Sequence, residues 1–211
     1  MTLEKFLGKF AIVLGDFLRE NDNNPECLYD GLIEEMAEQI DRDVYFSCGE
    51  TRFVLCHPKW DKVIKMNRFD NVSRDYNALE LDHYERAVEL GIDRIFLPIE
   101  CVLTVCGYDI YVQTKYTTSV CDQRYKDSRK IAEQVNELYS QRICNKAYNR
   151  MYDAGRIDRV WHARAYQIYG KQFMKTLEKF TRELHIGDLH RHNIGYLGKQ
   201  PIILDYAGYF D

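Results

Sequence analysis

No Cys-x-x-C pair occurs among the seven cysteines, which are scattered and odd in number (Cys27, Cys48, Cys56, Cys101, Cys106, Cys121 and Cys144). That absence argues against a secreted disulfide framework and against a thiolate zinc site, and it points to a reducing, cytoplasmic setting. Long apolar runs are missing too. Glu4, Lys5, Lys9, Asp16 and Arg19 interrupt the N-terminal stretch, so neither a signal-peptide core nor a membrane span is expected. Charge of neither sign dominates: 29 Lys and Arg stand against 33 Asp and Glu, a net charge of -4, so nothing draws the chain toward nucleic acid or an anionic membrane. Internal repeats and low-complexity tracts are absent. What remains is the composition of a globular protein, and 211 residues suffice for one large domain or two small lobes with a real core.

Helical spacing opens the chain. Leu3, Phe6, Phe10, Val13 or Leu14, and Phe17 recur on one face until Asn21-Asp22-Asn23-Asn24-Pro25 stops the helix, and Leu28, Leu32, Met36 and Ile40 mark a second. These apolar faces suit packing on the rest of the chain, or equally a partner. Strand patterns follow in Val44-Tyr45-Phe46, in Arg52-Phe53-Val54-Leu55 and in Lys62-Val63-Ile64-Lys65-Met66, the first two flanking a Cys48-Gly49-Glu50-Thr51 turn. A helix is expected from about Ser73 to Leu90, with Tyr76, Leu79, His83 and Ala87 on one face and Gly91 at its end. Strands over 96–105 and 108–116 are joined by a Cys106-Gly107 turn. The second half reads as helical: Ile131, Val135 and Leu138 mark one helix, and Tyr166, Tyr169, Phe173, Leu177, Phe180 and Leu184 a long one. A change of lobe is expected near Thr114 to Ser119.

The densest chemistry lies near the C-terminus. There Ile186-Gly187-Asp188-Leu189-His190-Arg191-His192-Asn193 is followed by a turn, a short apolar strand and Leu204-Asp205-Tyr206-Ala207-Gly208. An Asp, an Asn five residues on and a second Asp beyond a hairpin is the spacing at which kinase-type phosphotransferases place a catalytic carboxylate and two magnesium ligands. On these residues the chain resembles the protein-kinase-like superfamily. Its wording is nearer the aminoglycoside and choline kinase branch than the eukaryotic protein kinases, because Gly187-Asp188-Leu189-His190 stands in place of an Arg-Asp-Leu-Lys loop. It departs from the family at Ile186, where His is usual, and at Ala207, where Gly is usual.

The resemblance spans roughly residues 44 to 211 and implies an α+β, kinase-like two-lobed fold. Residues 1–42 would be an N-terminal helical extension, 43–116 an N-lobe with a five-stranded antiparallel sheet, and 117–211 a truncated helical C-lobe carrying the catalytic and magnesium loops. It also implies roles. Asp188 would orient or deprotonate an attacking hydroxyl, and Asn193 and Asp205 would hold Mg2+ through oxygen. Lys65, an ammonium in an otherwise apolar strand, would bind nucleotide phosphates and pair with an acid on the next helix, Glu80 by preference and Glu85 as the alternate. Val63, on the same strand face, would roof the adenine ring. Amides of the Gly49 turn would reach phosphate, although one glycine between strands is equally a plain hairpin feature. ATP and Mg2+ are the implied cofactors.

Two classes of function stay open: a phosphotransferase acting on protein hydroxyls, with a small alcohol as the other acceptor, and a catalytically silent kinase-like module that binds a partner protein. Nucleotidyl transfer is a third reading, and a homo-oligomer is left open. Blander readings attach to single residues. Asp188 and Asn193 can shape a turn, and Lys65 can sit on an edge strand facing water. His185, His190 and His192 invite a zinc or iron site, but they lack a distant fourth ligand at a recognised spacing. Arg124, Lys126, Arg129 and Lys130 read as a solvated helix face rather than a nucleic-acid patch.

Overall fold

The computed structural model describes residues 1–21, 28–49, 51–69, 74–116, 159–187, 189 and 193–207. Asp188, His190, His192, the basic run from Arg124 to Lys130 and the helix expected around Ile131 to Leu138 lie outside the described residues. The chain is mixed α+β and divides into two compact units, Met1–Leu81 with Ile99–Lys115, and Asp82–Pro98 with Tyr116–Asp211. Among the described residues no helix is long and apolar enough to cross a membrane.

In the first unit, α1 (Leu3–Glu20) starts at Thr2, whose hydroxyl accepts the Lys5 N–H at 3.4 Å. It closes at Asn21, whose backbone and side-chain amides both donate to the Phe17 carbonyl. After α2 (Leu28–Gln39) come β1 (Tyr45–Cys48), β2 (Arg52–Cys56), β3 (Lys62–Asn67), β4 (Ile99–Val105) and β5 (Tyr108–Thr114). They form one five-stranded antiparallel sheet in the order β1-β2-β3-β5-β4. Cys106 (φ 50°) and Gly107 (φ 85°) are both left-handed, as a two-residue hairpin turn that follows the twist of its strands requires.

Strand alternation sorts the sheet into two faces of different chemistry. Phe53, Leu55, Ile64, Met66, Ile110 and Val112 share one core with Phe6, Phe10, Leu14 and Phe17 of α1 and with Leu32 and Met36 of α2. At about 1.5–3 kcal/mol for each fully buried large side chain, the three phenylalanines alone fasten α1 to that face. The N-terminal helices are therefore a layer of the sheet unit, in the same core as its strands. Register puts Arg52, Val54, Val63, Lys65, Tyr111 and Gln113 on the other face.

Helix α3 (Tyr76–Glu89) begins later than expected, because Asp75 caps it: its Oδ1 accepts the N–H groups of Asn77 (2.8 Å) and Ala78 (2.9 Å). It ends as expected at Gly91, whose left-handed φ of 66° lets Gly91 N–H reach the Val88 carbonyl and Ile92 N–H the Ala87 carbonyl. The buried stripe is rotated from the expected one. Asn77, Glu80, His83 and Ala87 are buried, whereas Tyr76 and Leu79 are only half-buried. The first half of this helix turns polar side chains inward, and a search for apolar residues alone misplaces its face.

In the second unit, α4 (Arg159–Glu183) is two helical pieces meeting at Gly170, whose φ of 81° and ψ of 168° are backbone that only glycine adopts without strain. Trp161, Ala165, Met174, Leu177 and Phe180 bury against Ile92, Ile95 and Phe96 and against the hairpin of β6 (Ile194–Leu197) and β7 (Gln200–Ile203). Three polar tips inside this core are satisfied. Trp161 Nε1 donates to Gly195 O (2.9 Å), Tyr169 Oη to Pro201 O (2.6 Å) and Tyr206 Oη to Leu97 O (2.6 Å).

His162 is fully buried, and burial pushes its imidazole down to about 4 from 6.5. The unfolded chain therefore takes up this proton first as the solution is acidified. The stability owed to a neutral His162 is whole above pH 6.5 and is lost as pH falls through about 4, on the order of 3 kcal/mol in all. Chemical denaturation as a function of pH should show that slope, and His162→Gln should flatten it. An unchanged slope in the variant would assign it to another group.

Candidate functional site

The polar face of the sheet gathers around one carboxylate. Glu80, from the second turn of α3, is 0 % exposed and accepts from three side chains on three adjacent strands. Lys65 Nζ of β3 lies 3.0 Å from Oε2 and 3.2 Å from Oε1, Arg52 Nη1 of β2 lies 2.6 Å from Oε2, and Gln113 Nε2 of β5 lies 3.3 Å from Oε1. The structure thus brings together Lys65 and Glu80, and Glu85 on the exposed side of α3 takes no part. Val63, half-buried, shares the face with Lys65 and pairs with Gln113.

Further contacts tie the start of α3 to the sheet. Tyr111 Oη of β5 donates to Asp75 Oδ2 at 3.2 Å, so the sheet holds the residue that caps the helix. Burial, with Asp75 beside it, pushes the Tyr111 phenol far above its ordinary range, which keeps it a donor. Asn77 Nδ2 donates to Asn67 Oδ1 at 3.3 Å. Sequence reasoning missed Arg52, Gln113, Tyr111 and Asp75. The signal for Arg52 was present, since it is a cation opening an apolar strand, as Lys65 is a cation within one.

Gly49 lies in the turn between β1 and β2. Its N–H donates to Arg52 O at 2.9 Å, within the hairpin itself. Among the described residues a Cβ there would meet Arg52 O alone, at an ordinary 3.6 Å, and this contact places no demand for glycine.

In the second unit, Asn193 and Asp205 stand at the open end of the β6–β7 hairpin. The Leu204 N–H donates to Asn193 O at 2.8 Å, which sets the two residues on adjoining backbone. Both are half-buried. Tyr206, the next residue, is anchored twice: its phenol reaches Leu97 O, and its carbonyl lies 2.8 Å from His83 Nδ1 of α3. An amide oxygen and a carboxylate are donor types that a hard divalent cation takes. Sequence reasoning counted His83 only as part of a helix face, and its hold on the residue after Asp205 was not anticipated.

A third cluster joins Asp41, Asp43 and His57, with ligand atoms within 4.8 Å of one another. It is not arranged for a metal. The Lys59 N–H donates to His57 Nδ1 at 3.0 Å, which fixes the ring proton on Nε2, and that nitrogen faces Asp41 Oδ2 at 3.5 Å. The Asp43 N–H, at 3.0 Å, holds the Asp41 carboxyl below its usual range, and His57 adds to this. The cluster reads as an imidazole resting against a carboxylate. A cleft of about 610 Å³ in the second unit is lined by Arg86, Glu89, Lys175, Lys179 and Glu183, whose mixed charge selects no one ligand.

No protein-family model matches the chain, and no curated protein matches it.

Proposed function

We propose that this chain is an ATP- and Mg2+-dependent phosphotransferase of kinase-like type, with protein hydroxyls as its acceptors. The observation that carries the reading is the buried ion pair between Lys65 of β3 and Glu80 of the following helix. An ammonium inside a sheet needs a function or a partner, and here a carboxylate on the next helix pairs with it, as expected of a kinase-type phosphate-binding lysine. Asn193 and Asp205, joined at the hairpin, supply oxygen donors that suit Mg2+. In this reading Asp188 orients the acceptor hydroxyl and takes its proton, Lys65 neutralises charge on the phosphates, and Val63 covers the base. Bound Mg2+ would supply charge neutralisation on the phosphates.

One observation favours the second reading, a silent module that binds a partner protein. Arg52 and Gln113 also occupy Glu80, so the ion pair has a structural use even without a nucleotide.

Nucleotide binding separates the phosphotransferase reading from mere packing. ATP with Mg2+ should raise the melting temperature, because a ligand bound only by the native state stabilises it, by about 2.7 kcal/mol at a hundredfold excess over its dissociation constant. A melting curve unchanged at millimolar nucleotide, with blank calorimetry, counts against nucleotide binding altogether. Label transferred from the gamma rather than the alpha phosphate of ATP to lysate proteins distinguishes phosphoryl from nucleotidyl transfer.

A further inference from the structure

We propose that Arg52 is the positioning residue for Glu80, and that by holding this carboxylate it leaves Lys65 able to engage a phosphate. The inference rests on the phosphotransferase reading of Lys65 and adds a division of labour to it. Every oxygen of Glu80 is doubly contacted: Oε2 by Arg52 (2.6 Å) and Lys65 (3.0 Å), Oε1 by Lys65 (3.2 Å) and Gln113 (3.3 Å). The arginine makes the shortest contact. Its guanidinium is planar and permanently charged, whereas the lysine is a point charge on a flexible stem, so Arg52 is the better fixture and Lys65 the better traveller.

Removing each cation in turn shows the asymmetry. Without Lys65, Glu80 keeps a cation on one oxygen and an amide on the other, so it stays in place. Without Arg52, Lys65 is the only cation left on Glu80 among the described residues. A phosphate that drew it away would strand a buried charge, which is strongly unfavourable. Geometry supports the same division: β2 and β5 flank β3 on either side, so Arg52 and Gln113 grip the carboxylate from both neighbours of the strand that carries Lys65.

The test compares Arg52→Gln, Arg52→Lys and Lys65→Met in two measurements. In amide hydrogen exchange without nucleotide, Arg52→Gln should speed exchange around Leu79 and Glu80 by at least about tenfold and Lys65→Met by less than about threefold, with Arg52→Lys close to the parent chain. In calorimetry with ATP and Mg2+, Arg52→Gln should weaken binding by at least about tenfold and Arg52→Lys should recover most of it. If Arg52→Gln fails to fold while Lys65→Met folds, stability gives the same ranking. Exchange as fast in Lys65→Met as in Arg52→Gln would overturn the proposal, and so would undiminished nucleotide affinity in Arg52→Gln. No nucleotide binding by the parent chain would overturn the phosphate half of the proposal together with the phosphotransferase reading, while the exchange data would still decide which cation holds Glu80.

Discussion

Asp188→Asn is expected to lower phosphoryl transfer by about 10²–10⁴-fold, the usual worth of a positioned general base, and to leave nucleotide affinity nearly intact. The amide keeps the size and hydrogen-bonding shape of the side chain but cannot take the acceptor proton. An interaction made in the transition state is lost while ground-state binding remains. In the proposed reading Asp205→Asn differs, because it would remove a negative metal ligand and should weaken magnesium-dependent binding as well as transfer. Gamma-phosphate transfer and calorimetry on both variants make the comparison. Full biological activity in both folded variants would require the phosphotransferase reading to be withdrawn, whereas a partner-binding role predicts that neither substitution matters.

Glu80→Ala should lose about 3–5 kcal/mol of stability in urea denaturation, since it leaves Arg52 and Lys65 buried without the carboxylate that both contact. For a chain of this size about 2–4 °C accompanies each kcal/mol, so the midpoint of thermal unfolding should fall by roughly 10 °C. Added salt should change the deficit little, because the cluster is shielded from solvent. A loss under about 1 kcal/mol, the range of exposed ion pairs, would mean that these side chains meet in water rather than in the interior.

The parts of this fold that were legible in the sequence are those governed by local pattern. The β2 and β3 strands were readable from alternation, the β4–β5 turn from Cys106-Gly107, and the closeness of Asn193 and Asp205 from the hairpin between them. Lys65 announced itself as a cation in an apolar strand, and Glu80 as the acid two turns into the next helix. What escaped depends on register between strands. Arg52, Lys65 and Gln113 meet at Glu80 only because β2, β3 and β5 are in phase, and no single-strand pattern contains that information. The break at Gly170 was hidden for another reason: Tyr166 and Tyr169 before it and Phe173 and Leu177 after it continue one helical period. The inward face of α3 was misjudged because its first half is buried through polar bonding rather than apolar contact.

The two-sided chemistry of β3 bears on how the sheet finds its correct pairing. Ile64 and Met66 face hydrocarbon while Val63 and Lys65 face the Glu80 side, and β2 repeats the arrangement with Phe53 and Leu55 against Arg52 and Val54. A slip of one residue would drive an ammonium into the phenylalanine layer and set Met66 against a buried carboxylate, reversing every side chain of the strand at once. A mispaired sheet is therefore not a close competitor of the native one. The ions that serve the site also discriminate among the alternative foldings of the sheet that carries it.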